Sequence, residues 1–205
     1  SVRIRYDNAI DDPGRPDVPF EGRRLTPVHA MPPECWRFLL ASRYCEVDRM
    51  SQIAWDLFGY TPESWERVQA VVAWVHTHVT FGYEFASPTK SAYDVYLEGR
   101  GVCRDFQHLA ITFLRALNIP ARYATGFLGD IGVPAAAPMD FSAWAEAYLD
   151  GAWYPIDARH NRPRIGRVLM ARGRDAVDVA LTTSFGAATL TQFTVWTDEI
   201  LPAAA

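Results

Sequence analysis

The sequence predicts an α+β domain in which one helix packs against an antiparallel sheet. A glycine-rich turn at residues 99–101 is followed by apolar residues at helical spacing, which predicts a helix that begins at or near Cys103. Residues 141–149 then alternate as in a strand, and Asp150-Gly151 is a two-residue hairpin signal before a partner strand at residues 152–157. The apolar helix positions are Phe106, Leu109, Ala110, Phe113, Leu114 and Leu117.

The segment before this helix divides into an extension and the start of the main domain. Residues 1–33 are rich in Asp, Pro and Gly, and we expect them to be the end of an N-terminal β-element with a strand at residues 2–6. Thr61 is the expected N-cap of a helix whose first residue is Pro62. The predicted helices cover residues 32–40, 48–58, 62–79 and 91–97.

The rest of the main domain, expected to span residues 34–200, is predicted to be mostly strand and loop. Asn118-Ile119-Pro120 ends the Cys103 helix, because proline disfavours helical geometry in the residue before it. Residues 201–205 are a tail. Further predictions are a strand at 122–128, a loop beside the cleft at 129–139, a helical or irregular segment at 168–177 and a late strand at 190–197.

Composition excludes several classes of function. The 205 residues are 49% hydrophobic, which permits a sizeable core in a single domain. A formal charge of −4 gives no electrostatic case for a nucleic-acid or anionic-membrane partner. No stretch approaches the roughly 20 apolar residues of a membrane span.

The three cysteines, Cys35, Cys45 and Cys103, are odd in number and lack C-x-x-C spacing. This argues against a zinc site and against dependence on disulfides. We expect a cytoplasmic protein, because a reducing compartment suits a reactive thiol.

Cys103 is the candidate nucleophile. A thiol in the first turn of a helix is close to unpaired backbone N–H groups and to the positive end of the helix dipole, and both favour the thiolate. Gly101 allows the sharp turn that leaves the sulfur accessible. The alternative is a buried structural cysteine, which is the commoner role of a lone Cys.

Three linked motifs carry a family resemblance. A helix headed by Gly-x-Cys, a strand reading Ala-Trp-x-Glu-x-Tyr-Leu and a next strand ending in Asp157 resemble the transglutaminase-like cysteine enzymes, which are related in architecture to papain-like proteases. The resemblance covers roughly residues 42–186, and residues 157–186 are similar to its bacterial branch. It implies an acyl-enzyme formed on Cys103 from an amide or peptide, then hydrolysis or transfer to an amine, with no cofactor and no metal.

The resemblance also implies a catalytic histidine two residues before Trp144, where this chain has Ser142. A serine hydroxyl barely titrates, so the expected Cys–His–Asp triad is incomplete. Asp157, which would orient the histidine, is left either to hydrogen-bond Ser142 or to cap a turn. His160 is the candidate replacement base, and it reaches the site only if the chain turns after Asp157, because strand alternation points it away.

The other histidines are expected to be structural, including His108, which lies well round the helix from Cys103. The candidate substrate-binding residues are Tyr83, Trp144, Arg104 and Arg159. Tyr83 either assists an oxyanion or packs. Arg159 starts an arginine-rich stretch that either receives an acidic substrate group or is solvated surface.

Three functions remain open from the sequence. The first is a cysteine acyl-transfer enzyme acting on a peptide or amide substrate. The second is a pseudoenzyme that binds peptide in the cleft. The third is a lyase or isomerase that uses Cys103, Ser142 and Asp157 in different chemistry. The sequence does not indicate an oligomeric state.

Overall fold

The computed structural model describes residues 2–17, 22–134 and 141–200. The described helices are α1 (Pro33–Trp36), α2 (Val47–Phe58), α3 (Trp65–His78), α4 (Ala92–Glu98) and α5 (Cys103–Ala116). The described strands are β1 (Thr80–Phe81), β2 (Arg100–Gly101), β3 (Ala121–Leu128), β4 (Phe141–Leu149), β5 (Ala152–Ile156) and β6 (Arg167–Gly173). This arrangement confirms the predicted α+β fold with a Cys-headed helix against an antiparallel sheet.

The main sheet has four antiparallel strands in the order β5-β4-β3-β6. Its inner face on β4 carries small side chains, which allow α5 to lie close to the strand. On the opposite face, Glu146 forms ion pairs with Arg122 and Arg172. The inward residues of β4, all in the main hydrophobic core, are Ala143, Ala145, Ala147 and Leu149.

Helix α5 is the centre of the domain. Every residue from Asp105 to Ala116 is buried, because β3 and β4 cover one side of the helix and α2, α3 and α4 cover the others. Within the described residues, no helix has the length and apolar character needed to cross a bilayer.

The turn before Cys103 is shaped by α4 and by a short parallel ribbon. Ser91 and Asp94 form a capping box at the start of α4, and Gly99 ends that helix in the left-handed region at φ 62°. Strand β2 then pairs with β1, with Phe81 opposite Gly101. The ribbon thus fixes Arg100 and Gly101, and Val102 alone separates Gly101 from the first residue of α5.

The predicted hairpin is confirmed. Asp150 and Gly151 have φ of 46° and 84°, and positive φ at both positions is the signature of a type I′ turn. The turn sets the β4–β5 register so that Ala145 lies opposite Ile156. Asp157 therefore follows directly after the last paired residue of β5.

Two predicted helix boundaries are wrong. Helix α3 begins at Trp65 rather than at Pro62, because Thr61 instead donates its hydroxyl to the Phe58 carbonyl and closes the preceding helix. The helix predicted at residues 32–40 is reduced to the single turn of α1. The predicted end of α5 is confirmed, since the helix ends at Ala116 and Asn118, the first residue of the Asn118-Ile119-Pro120 segment, adopts a left-handed conformation with φ 61°.

Three predictions for the outer segments are also wrong. The segment predicted as helical or irregular at residues 168–177 is largely β6, because its alternating residues pair with β3 at the edge of the sheet. Residues 2–6 and 190–197 form no strand, since neither segment has a partner strand among the described residues. Most of the cleft loop (135–139) and the tail (201–205) lie outside the described residues, and the domain boundary at residue 33 stays a prediction.

Arg115 ties the end of α5 to three other segments. Its guanidinium is 2% exposed and donates to the carbonyls of Leu40, Ala121 and Arg174 at 3.0, 2.9 and 2.6 Å. If this shared donor is removed, the three buried carbonyl groups have neither water nor a protein group to hydrogen-bond them, and each carries its full desolvation penalty.

We expect Arg115→Met to destabilise the fold by about 3 to 5 kcal/mol, because it leaves three carbonyls without their donor while retaining most of the apolar stem. Urea unfolding followed by circular dichroism measures the change. The matched control is Arg49→Met on the surface of α2, where the exposed ion pair with Glu46 contributes at most about 1 kcal/mol. Equal losses of unfolding free energy in the two variants would show that the three carbonyl hydrogen bonds of Arg115 do not cause the destabilisation.

Candidate active site

Cys103 is the first residue of α5, as predicted, and it is partly buried. The Asp105 carboxylate accepts the Val102 N–H at 2.9 Å and closes the first turn. A side chain at Gly101 would meet that carboxylate, since a Cβ there would lie 2.6 Å from the Asp105 Cβ. The glycine therefore lets the chain enter the helix with the sulfur at its N-terminus, where the dipole favours a thiolate.

Arg104 is held by the protein. Its guanidinium donates to Asp105 Oδ1 at 2.8 Å and to the Ser87 carbonyl, and it lies over the ring of Tyr44 at 5.2 Å. Asp105 neutralises its charge. Arg104 thus braces the 83–91 loop against the start of α5, and its hydrogen bonds are largely occupied before any substrate arrives.

Asp157 lies at the centre of a dense hydrogen-bond network. Its carboxylate is buried, and burial alone would raise its pKa. Hydrogen bonding by His160 and the charge of Arg167 outweigh this effect and hold the pKa well below its ordinary value. Oδ1 accepts from Gln107 Nε2 (3.2 Å), Arg159 N (3.0 Å) and His160 N (3.2 Å), and Oδ2 accepts from His160 Nδ1 (2.9 Å) and Arg167 Nη2 (3.2 Å).

The chain turns directly after Asp157, so the condition for His160 to reach the carboxylate is met. The Asn161 N–H donates to the Asp157 carbonyl at 2.8 Å, and Asn161 itself has φ 47°. His76 on α3 fixes the outside of the turn, with Nδ1–H donating to the carbonyls of Ala158 and Arg159. The His160 imidazole therefore returns to the carboxylate instead of pointing away from it.

Two further contacts bring this turn towards the start of α5. Gln107, one helical turn after Cys103 and on the same face, donates to Asp157 and accepts the Ala158 N–H at 3.5 Å. Arg159 stacks over Phe81 at 3.8 Å, and Phe81 is the ribbon partner of Gly101. The Asp157–His160 pair is thus bonded to the helix that Cys103 begins.

Ser142 is buried on β4, but its hydroxyl has no hydrogen-bond partner among the described residues. Of the two alternatives for Asp157, the carboxylate caps the turn, and a hydrogen bond to Ser142 is absent from this network, where other donors occupy both carboxylate oxygens. The Ser142 backbone is held by Thr125, whose hydroxyl donates to its carbonyl at 3.0 Å. The hydroxyl therefore neither orients Asp157 nor is oriented by it.

The remaining candidates divide into buried and accessible residues. Trp144 is 2% exposed and lies beneath the Arg167 guanidinium at 5.2 Å, so it supports the site instead of offering a surface to substrate. Tyr83 is 46% exposed and packs edge-on against Phe81. The rings of Tyr83 and Phe81, together with Arg159, form the accessible border beside the turn that precedes Cys103.

The arginine-rich stretch is not simply solvated surface. Arg164 is 3% exposed and pairs with Asp130, while Arg167 pairs with both Asp17 and Asp157. Sequence reasoning missed Arg167, as well as the roles of Gln107 and His76. Gln107 carried a usable signal, since it is four residues after Cys103 on a helix, whereas the contacts of Arg167 and His76 depend on the tertiary fold.

Comparison with known proteins agrees with this geometry. Residues 52–158, more than half of the chain, match the sequence profile of the Transglutaminase-like superfamily. The chain belongs to the transglutaminase-like superfamily. A crystal structure of a candidate cysteine protease from Cytophaga hutchinsonii is similar, with 35% identity, a TM-score of 0.75 and coverage of 86% of this chain and 61% of that one.

Other similar proteins extend the comparison. The periplasmic domain of TgpA from Pseudomonas aeruginosa, bound to ethylmercury, shares the superfamily fold at 21% identity and a TM-score of 0.51, over 65% of this chain and 51% of that one. An uncharacterized protein of Mycobacterium leprae is 30% identical over 117 residues, which are 55% of this chain and 42% of the relative. One from Mycobacterium tuberculosis is 25% identical over 87% of this chain and 63% of the relative. The chain thus spans less than two thirds of the length of each of these similar proteins.

His108 is structural in this superfamily member, as predicted. It is fully buried, its Nε2 accepts the Ala176 N–H at 3.2 Å, and its ring stacks on Tyr44 at 4.9 Å. Burial, reinforced by the positive charge of Arg104, lowers its pKa well below the ordinary value. The neutral imidazole thus holds the segment that follows β6 against α5.

We expect Asp157→Asn to lower the free energy of unfolding at pH 7 by about 2 to 4 kcal/mol, because it removes a buried charge that five donors share. The folded pKa of Asp157 lies below its unfolded value. Its contribution is therefore complete above about pH 4 and is lost as the pH falls towards the folded pKa. Urea unfolding from about pH 7 to about pH 3 should show a shallower acid loss in the variant.

The control for this measurement is Asp12→Asn, since the Asp12 carboxylate is exposed and accepts from the Gly14 N–H alone among the described groups. Its unfolding free energy should follow that of the unmodified protein across the same pH range. If the unfolding free energy of Asp157→Asn falls with pH as steeply as that of the unmodified chain, the low folded pKa of Asp157 is contradicted.

Proposed function

We propose that this chain is a cysteine-dependent acyl-transfer enzyme in which Cys103 attacks an amide or peptide substrate. The observation that carries the proposal is the Asp157–His160 pair, hydrogen-bonded through Gln107 to the helix that Cys103 begins. A nucleophile at a helix N-terminus, combined with an imidazole that a carboxylate orients, is what activates cysteine for acyl transfer.

In this proposal His160 is the general base. Asp157 Oδ2 accepts from Nδ1–H, which leaves the lone pair on Nε2 to take the Cys103 proton. The low pKa of Asp157 keeps the carboxylate ionised throughout the working pH range, so it holds the ring and stabilises the imidazolium that forms. His160 thus takes the role that the superfamily pattern assigns to the position of Ser142.

The reaction follows from this assignment. The Cys103 thiolate forms a bond to the carbonyl carbon, and the tetrahedral intermediate expels the amine, which takes the proton from His160. The resulting thioester is then cleaved by water, giving an acid, or by a second amine, giving a new amide. The Val102 N–H already donates to Asp105, so the Cys103 N–H is the proposed oxyanion donor.

The proposed partner is a peptide or amide substrate, bound along the border formed by Tyr83, Phe81 and Arg159. These residues combine two aromatic faces with a guanidinium stacked on one of them. We also propose a reducing, cytoplasmic setting, because it would keep the thiol available.

A peptide-binding pseudoenzyme is the second candidate. Ser142 favours it, since the hydroxyl is buried and lacks a described partner, and the residue stands where the family resemblance implies a histidine. The lyase or isomerase alternative has less support, because it needs Ser142 to act with Asp157 and the two side chains form no hydrogen bond within the described network.

The first test is formation of a covalent intermediate. With an activated peptide ester as acyl donor, we expect intact mass spectrometry to detect an adduct on the unmodified chain and none on Cys103→Ala. We also expect iodoacetamide to alkylate Cys103 faster than a free thiol at about pH 6 to 7, because the helix terminus favours the thiolate. An adduct that persists in Cys103→Ala would place the nucleophile elsewhere, and the absence of any adduct would favour the pseudoenzyme.

The second test concerns the base. We expect His160→Ala to lower the acylation rate by roughly 10²- to 10⁴-fold, the usual contribution of general acid–base catalysis. His29→Ala is the matched control, because His29 is an exposed histidine in the turn before α1. Stopped-flow acylation measures both variants, and a rate unchanged by His160→Ala would rule out this base.

The third test exchanges the two positions. In the His160→Ala background, we expect Ser142→His to recover at least about tenfold in acylation rate, because the vacated Asp157 Oδ2 then orients the new imidazole. In the unmodified background the same substitution should add little, since His160 holds that oxygen. A large gain in the unmodified background would show that position 142, rather than His160, limits catalysis.

A further inference from the structure

An acidic side chain from the N-terminal segment lies behind the Asp157–His160 pair. Residues 2–16 are exposed, but Asp17 docks against the segment that leads into β6. Its backbone N–H donates to the Arg164 carbonyl at 3.1 Å, and its Oδ2 accepts from Arg167 Nε at 2.8 Å. The side chain of Asp17 is 24% exposed and that of Arg167 is 10% exposed, so the ion pair is largely shielded from water.

Arg167 joins this carboxylate to the site. Its Nη2 donates to Asp157 Oδ2 at 3.2 Å, the same oxygen that accepts from His160 Nδ1. The guanidinium lies over Trp144, and among the described residues its Nη1 has no hydrogen-bond partner. Arg167 therefore contacts both carboxylates through Nε and Nη2, with one nitrogen for each.

The shape of the guanidinium explains why it matters that Nε binds Asp17 while Nη2 binds Asp157. Nε and Nη2 form one edge of the planar group, and that edge binds a single carboxylate through two parallel hydrogen bonds when no other acceptor competes. Asp17 occupies Nε, so Asp157 receives one of the two bonds. Without Asp17, Asp157 becomes the available partner for the whole edge, and its Oδ2 is drawn away from the imidazole.

We propose that Asp17 is a positioning residue for His160, which acts by holding Arg167 Nε and so keeping Asp157 Oδ2 available to the imidazole. The charged groups around the pair are Arg167 from β6, Asp157 and His160 from the turn, Asp17 from the N-terminal segment, and Arg164, whose own guanidinium is taken by Asp130 and the Gly129 carbonyl. The catalytic part of this inference rests on the proposed function, but the positioning part does not.

The experiment compares Asp17→Ala, Asp17→Glu and Asp12→Ala. Asp12 is the matched control, because it is an acidic residue of the same segment whose described side-chain contact is the Gly14 N–H. We expect Asp17→Ala to lower kcat about tenfold with KM little changed, since orientation of the base is impaired and the substrate border is not. Asp17→Glu should recover most of the rate, and Asp12→Ala should match the unmodified chain.

A double variant separates positioning from general destabilisation. In the His160→Ala background, Asp17→Ala should cause no further fall in kcat, because its effect passes through the imidazole. A further tenfold fall there would overturn the proposal, as would an unchanged kcat in Asp17→Ala alone.

A readout that needs no turnover keeps the two proposals distinguishable. The imidazole ¹⁵N and Nδ1–H chemical shifts of His160 report its hydrogen bond to Asp157. We expect Asp17→Ala to shift them and Asp12→Ala to leave them in place. If the unmodified chain forms no acyl-enzyme but these shifts respond to Asp17, the proposed function fails and the positioning role stands. If the shifts do not respond, the positioning role fails.

Discussion

The site depends on the burial of one carboxylate. A carboxylate removed from water is stable in its charged form only if hydrogen-bond donors and positive charge replace the lost solvation. Asp157 obtains five hydrogen bonds from α5, from its own turn and from β6. Each donor must lie within hydrogen-bond distance of the carboxylate to replace the lost water. The need to stabilise this charge therefore also determines where Gln107, His160 and Arg167 lie. Removing any donor transfers part of the desolvation cost to the remaining ones, which makes the network cooperative.

The small residues of β4 make that network geometrically possible. With Ala143, Ala145 and Ala147 on the inner face, α5 lies close enough to the sheet for the Gln107 amide to reach the end of β5. Larger side chains there would move the helix away and separate the Gln107 amide from the carboxylate. The packing of the core and the chemistry of the site are therefore one constraint, and the polar residues of β4 are confined to its other face, where Glu146 pairs with two arginines.

The sequence predicted the features that local physics determines. The start of α5 at Cys103 follows from a glycine turn before a helical pattern, and the hairpin follows from Asp150-Gly151. The formation of β6 did not follow, because residues 167–173 become a strand only by pairing with β3. His160 is an intermediate case. Asp157 accepts the backbone N–H groups two and three residues later, which is the Asx-turn that an Asp at the end of a strand favours, so the signal for the turn was present. The contacts of Arg167 and Asp17 join distant parts of the chain, and no local pattern indicates them.

In the proposed function, the residue at position 142 and His160 both depend on which donor binds Asp157 Oδ2. In the described network, Oδ1 of Asp157 accepts three hydrogen bonds and Oδ2 accepts two, which exceeds the usual capacity of the pair by one. A histidine at position 142 would need Oδ2, and it could gain that oxygen only by displacing His160 or Arg167. Displacing Arg167 would also leave Asp17 without its partner, while displacing His160 would release the ring that the turn now holds. A serine at position 142 makes no demand on the carboxylate, so it is compatible with an imidazole supplied from the turn. In the proposed function, the serine at position 142 and the histidine three residues after the aspartate are therefore linked by competition for a single oxygen atom.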